Sequence, residues 1–176
     1  RIWLLILCLI LFAGILFTGC GGSKTEKEPE ETTEAAGGGT LMLAWQSQPP
    51  TLDTHITTTN VVRDIARPIF ENLVTFDKDF QIVPMLAESF KVEDNGARIV
   101  FNLRKGVLFH NGKEMKAEDI VASMTRWQRF GAQKADLAGS TWEALDDYTV
   151  VLKVGNPSLS IMYTLANTMQ TSSIMP

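Results

Sequence analysis

Catalysis and metal binding need convergent groups of the right kind, and this chain of 176 residues carries few of them. It has two histidines, His55 and His110, and two cysteines, Cys8 and Cys20. Asp53 and His55 could share a metal ion, but two ligands do not define a metal site. Both histidines stand beside turn-forming residues, and Glu71 reads as a solvated or locally paired carboxylate rather than a catalytic acid. No nucleophile elbow, phosphate-binding glycine loop, HExxH pair or GxGxxG fingerprint occurs. A formal charge of −4, a pI of 5.2 and the lack of a basic stripe argue against nucleic acid as a partner. The expectation is a protein that is not an enzyme, with no catalytic residue, metal site or cofactor.

The elements that would position any functional group are short. Ile99, Phe101 and Leu103 alternate within 98–103, the period of a strand with one buried face. Asp94-Asn95-Gly96 precedes them and tolerates the positive φ of a tight turn, so 90–92 and 98–104 are expected to pair antiparallel. A second Asn-Gly pair, Asn111-Gly112, follows Val107-Leu108-Phe109. Over 117–130, Ile120, Val121, Met124 and Trp127 share one helix face, which places Trp127 in a core. Glu118 and Asp119 fall in the first turn of that helix, where carboxylates favour the positive end of its dipole. Elsewhere 41–45 reads as a buried strand and 61–73 as a helix that Pro68 kinks or divides. Residues 77–79 read as a turn, and 142–145 and 148–154 as strands around an Asp146-Asp147 turn. A short helix is expected over 160–169.

The N-terminal 39 residues have a different character. Ile2–Phe17 is almost uninterruptedly apolar and ends in Thr18-Gly19-Cys20, so 1–19 reads as a secretory signal peptide. A plain membrane span is the alternative, although the run falls short of the ~20 apolar residues a span needs. Thr18-Gly19-Cys20 resembles a bacterial lipobox, which implies lipidation at Cys20, with Phe17 where leucine is usual. Cys8 would leave with the signal, and Cys20 alone could form no internal disulfide. Residues 20–39 then form an acidic linker with Glu26, Glu28, Glu30, Glu31 and Glu34 against Lys24 and Lys27. Such a segment buries too little apolar surface to order itself, and its reach as a coil is on the order of 25 Å. An acidic interaction tail is the alternative reading.

Phe101–Met124 resembles the signature block of the family 5 solute-binding proteins of ABC transporters. That block usually reads F-x-L-R-x-G-V-x-F-H-D-G-x-P-L-T-A-E-D-V. The chain keeps Phe101, Leu103, Arg104, Gly106, Val107, Phe109, His110, Gly112, Ala117, Glu118 and Asp119. It departs at Met115 and Lys116; the family threonine at the latter position would cap the helix, and losing a cap typically costs ~1 kcal/mol. Thr51-Leu52-Asp53-Thr54-His55 is similar to the family's S-L-D-P-H turn, with Thr54 in place of a φ-fixing proline, so a looser turn is expected. Residues 66–74 resemble the helix "arpvyEtLv", and Pro84–Phe90 resembles P-x-L-A-E-S-W with Phe90 for tryptophan.

The resemblance implies an α/β, periplasmic-binding-protein-like type II fold: two lobes around a cleft, with an extra α+β subdomain. Only the N-terminal part is expected here: 40–61 as the first strand and cleft loop of the main lobe, 62–165 as the inserted subdomain, and 166–176 as the return to the main lobe, within which Ser172–Pro176 resembles the family's return strand. The cleft loop would carry the ligand contacts, here Thr57, Thr58, Thr59 and Asn60, with Trp45 just before it. His110 falls on the family's hairpin turn and takes a structural role. The implied function is the lipid-anchored, extracytoplasmic receptor of an ABC importer. It would capture peptides and deliver them to permease subunits, with the membrane reached through the N-terminal lipid. Nickel complexes or oligosaccharides are alternative ligands within the family, and a lipoprotein enzyme or an adhesion module are alternatives outside it.

Overall fold

Period-two alternation in 98–103 produces the strand around which the fold is built. The structure is a computed structural model that describes residues 39–158, 160–167 and 172–176. The chain divides into two units, 1–43 and 44–176. Cys8, Cys20, the signal and nearly all of the linker lie outside the described residues. Elements in chain order are α1 (Asn60–Ala66), β1 (Val74–Phe76), β2 (Ile82–Pro84), β3 (Ala87–Glu93), β4 (Arg98–Leu103), α2 (Ala117–Phe130), β5 (Thr141–Asp146), β6 (Thr149–Lys153) and α3 (Ser160–Ala166). β1 and β2 form a hairpin, and the other strands form an antiparallel sheet in the order β3-β4-β6-β5.

The β3–β4 turn forms as its residues dictate: Asp94, Asn95 and Gly96 all adopt positive φ, and Phe90 pairs with Phe101. Ile99, Phe101 and Leu103 point into the core with Val150 and Leu152 of β6. α2 packs on β5 and β6 and buries Ala117, Ile120, Met124 and Trp127. Phe101 stacks on Trp142 of β5 at 6.1 Å between ring centroids. Among the described residues no helix is long and apolar enough to cross a membrane.

Lys116 does not delay the start of α2, which begins at Ala117. A lysine side chain has no acceptor to cap the helix. The Asp119 carboxylate supplies the reciprocal half of a capping box, accepting the Lys116 N–H at 2.9 Å. The Lys116 ammonium turns to Glu114 and lies 3.9 Å above the Tyr148 ring. Glu114 also accepts the Gly106 N–H and the Tyr148 hydroxyl. Its carboxyl is lowered to about 2 by the Gly106 N–H first, then by Tyr148 and Lys116. Arg104 donates to the Met85 carbonyl at 2.6 Å, and Gly112 closes its turn at φ +84°. The most distinctive stretch of the sequence is therefore hairpin and helix-start architecture.

Three expectations change. Residues 41–45 form no strand, join no ladder and are exposed. A strand is stable only beside a partner, and no described strand pairs with this one. The helix expected over 61–73 stops at Ala66: Pro68 has no N–H to extend it, and Ile69 and Phe70 both donate to the Ala66 carbonyl instead. Leu73 and Val74 are buried at the start of the β1–β2 hairpin. The expected return strand at 172–176 is irregular chain, fixed in part by an N–H from Ile174 to the Glu71 carbonyl. Helix 160–169 is observed as Ser160–Ala166, and 168–169 lie outside the described residues.

Gly155 follows β6 where two backbones meet. A Cβ there would lie 2.4 Å from the Gly139 carbonyl carbon and 2.5 Å from the Ala138 oxygen. Backbone cannot rotate away as a side chain can. Gly155→Ala is expected to destabilise by about 1–3 kcal/mol, as overpacked sites do, measured as a fall in the urea midpoint.

Candidate functional site: the polar loop after His55

The candidate loop hangs from a tightly tied turn. The Thr51 hydroxyl accepts the Asp53 N–H at 3.0 Å, and Asp53 Oδ1 accepts the His55 N–H at 3.1 Å. These are Asx- and ST-type bonds that close a turn without proline. The turn that Thr54 was expected to loosen is thus held by Asp53, and Thr54 itself is buried. Arg126 of α2 grips the same carboxylate with both terminal nitrogens, Nη1 to Oδ1 at 3.0 Å and Nη2 to Oδ2. That fork holds the Asp53 carboxyl below its ordinary value and raises the guanidinium above its own.

His55 is buried with 1% exposure, and its Nε2 lies 2.8 Å from the Ser173 carbonyl oxygen. Since a carbonyl only accepts, Nε2 carries the proton and Nδ1 is the bare acceptor. Nδ1 has no partner among the described residues. Burial lowers the His55 pKa from its ordinary 6.5; the Ser173 carbonyl raises it, Arg126 lowers it and Asp53 raises it, each to a smaller degree. The Ser123 hydroxyl of α2 donates to the Met175 carbonyl and accepts the Met175 N–H, each at 2.9 Å. One face of α2 therefore holds two segments, 53–55 and 173–175, which also hold each other.

Beyond His55, residues 56–59 run on the surface into α1. Thr57 Oγ1 accepts the Thr59 N–H at 3.3 Å and donates to Thr59 Oγ1 at 3.2 Å. Thr58, Thr59 and Asn60 line an open hollow of about 550 Å³ together with Ser47, Gln48 and Pro50. Thr57 and Trp45 do not line it, and Trp45 is exposed. Ser47 and Gln48 were missed in the sequence, where 46–50 reads only as the end of a strand. The available signal was an uncharged hydrogen-bonding run, Gln46-Ser47-Gln48, ahead of two prolines. Such a wall offers hydroxyl, amide and backbone groups, which suits an uncharged polar or peptide-like ligand.

The other titratable candidates are dispersed. His110 and Glu71 are exposed and line a separate hollow of about 440 Å³ with Arg67 and Phe109. Among the described residues no group of three or more His, Cys, Asp or Glu could hold a metal ion.

Residues 81–174 match the family described as "Bacterial extracellular solute-binding proteins, family 5 Middle". The chain belongs to that family, and its α/β fold is part of a periplasmic-binding-protein-like type II architecture. It is 29% identical over 161 residues to the oligopeptide-binding protein AppA of Bacillus subtilis, covering 86% of this chain and 29% of that protein. It is 37% identical over 83 residues to the probable deoxycholate-binding periplasmic protein YgiS of Escherichia coli, covering 47% of this chain and 15% of that protein. Among solved structures, the binding protein AgaA of Agrobacterium tumefaciens R10 in complex with agropinic acid superimposes with a TM-score of 0.66 at 31% identity. That match covers 73% of this chain and 26% of AgaA. The chain thus spans less than a third of the length of these relatives.

Proposed function

We propose that this chain supplies part of the substrate-binding component of an ABC importer, which captures peptides outside the cytoplasmic membrane and passes them to permease subunits. The observation that carries the reading is the polar wall at Thr58–Asn60, presented by a chain of this family at a hollow of about 550 Å³. Similarity to an oligopeptide-binding protein over 86% of the chain supports peptide as the ligand class. In this reading 40–61 belongs to the main lobe, 62–165 is an inserted subdomain and 166–176 returns to the main lobe. Closure of two lobes on the ligand is a hinge motion biased by contacts to both. The protein transports and does not catalyse. Lipid on Cys20 tethers it at the extracytoplasmic face of the membrane.

The test is thermal-shift screening of the full-length receptor against di- to hexapeptides, Ni(II) complexes and oligosaccharides. A true ligand at a hundredfold excess over its Kd stabilises by about 2.7 kcal/mol. Stabilisation by peptide alone supports the assignment; a shift only with nickel complexes or sugars would move it within the family. Thr58→Trp fills the hollow from an exposed position and is expected to weaken the bound peptide about tenfold or more, a loss of about 1.4 kcal/mol per decade. Incorporation of labelled palmitate, lost in Cys20→Ala, tests the anchor.

A further inference from the structure

We infer that Arg126 and Asp53 are a positioning pair that sets where the loop 56–60 stands; its link to binding rests on the reading of that loop as a ligand wall. Among the described residues, the side-chain hydrogen bonds of 56–59 run only between Thr57 and Thr59, and the Thr59 carbonyl accepts from Arg63 of α1. The loop thus has no hydrogen-bonded tie of its own to the sheet or to α2. Its placement is set at one end by α1, which buries Val62 and Ala66, and at the other by the turn it leaves, two residues after Asp53.

Among the described residues, Arg126 on Asp53 and His55 on the Ser173 carbonyl tie that turn to the rest of the fold. Each involves a side chain with defined geometry. The guanidinium fork fixes the carboxylate plane, and Asp53 Oδ1, accepting from both Arg126 and the His55 N–H, passes that orientation to the backbone. Arg126 follows Ser123 by one helical turn, so the face of α2 that clasps 175 also aims the loop. Nothing in the arrangement requires Arg126 to touch a ligand.

Two substitutions separate this role from ordinary stability. Asp53→Asn keeps the oxygen that accepts the His55 N–H but loses the charge that holds the fork. Arg126→Lys keeps a positive charge but cannot grip both oxygens. Amide hydrogen exchange on the full-length receptor reads the loop directly. Both variants are expected to exchange about tenfold faster at the hydrogen-bonded amides that end the loop, Thr59 and Arg63, with β4 and β6 unchanged, and the double variant no faster than either single one. Wild-type exchange at Thr59 and Arg63 in both variants would overturn the inference. So would loss of protection across β4 and β6 together with the loop, which would make the pair a general structural tie. Hexa-alanine, titrated in parallel, separates this inference from the peptide reading: a loosened loop with unchanged affinity leaves the positioning pair standing and removes the loop from the ligand wall.

Discussion

Phe101→Ala is expected to cost about 3–5 kcal/mol, a large part of the 5–15 kcal/mol that holds a typical domain together. Phe101 has 0% exposure and sits on β4, an inner strand of the four-stranded sheet. Its ring lies 6.1 Å from Trp142 and 6.4 Å from Phe90, so truncation removes contacts on two sides. Two neighbouring strands hold β4 in register, which limits collapse into the space. The check is the urea midpoint with an unchanged m-value; a loss below about 1 kcal/mol would mean that the sheet refills the gap.

The second large effect is at His55. His55→Leu removes the donor to the buried Ser173 carbonyl, and an orphaned buried acceptor costs about 1–3 kcal/mol. His55→Gln places an amide N–H near the position of Nε2–H and is expected to recover part of that loss. The two variants also divide a pH effect. Burial makes the folded pKa lower than the ordinary 6.5, so the folded state binds fewer protons than the unfolded chain between those two values. Stability from neutral His55 is therefore fully present above about 6.5 and is lost as pH falls through the lowered folded value. Urea midpoints measured across that window should slope for the wild type and lose this component in both variants. An equal slope in His55→Gln would assign the acid sensitivity to another group.

The sheet and the main helix were legible because their signals are local. Ile99, Phe101 and Leu103 alternate, Asp94-Asn95-Gly96 can take positive φ, and Ile120, Met124 and Trp127 share one face; all three readings appear in the structure. The β1–β2 hairpin was hidden because three-residue strands are too short to show a period, and Leu73 fits a helix face as well as a strand start. Leu41–Trp45 misled in the opposite sense: an apolar run reveals a wish for burial but not whether a partner strand is beside it. The candidate loop rests on family likeness, since Ile56–Asn60 has no distinguishing pattern of its own. The Asp53–Arg126 fork spans 73 positions, and the His55–Ser173 bond spans 118. No window of sequence contains both ends of either, so the ties that aim the loop emerged only when the chain was folded.

That 118-residue span has a consequence for how such a chain can change. Its two ends are one hydrogen bond apart, 2.8 Å, and both rest on the same helix. For the chain on either side, everything between is a detour that returns to its point of departure. Strands can lengthen and hairpins can be traded within the detour while the crossing point keeps its spacing. Because Ser123 and Arg126 of α2 lie within that span and grip both of its ends, such changes are tolerated only where α2 keeps its place.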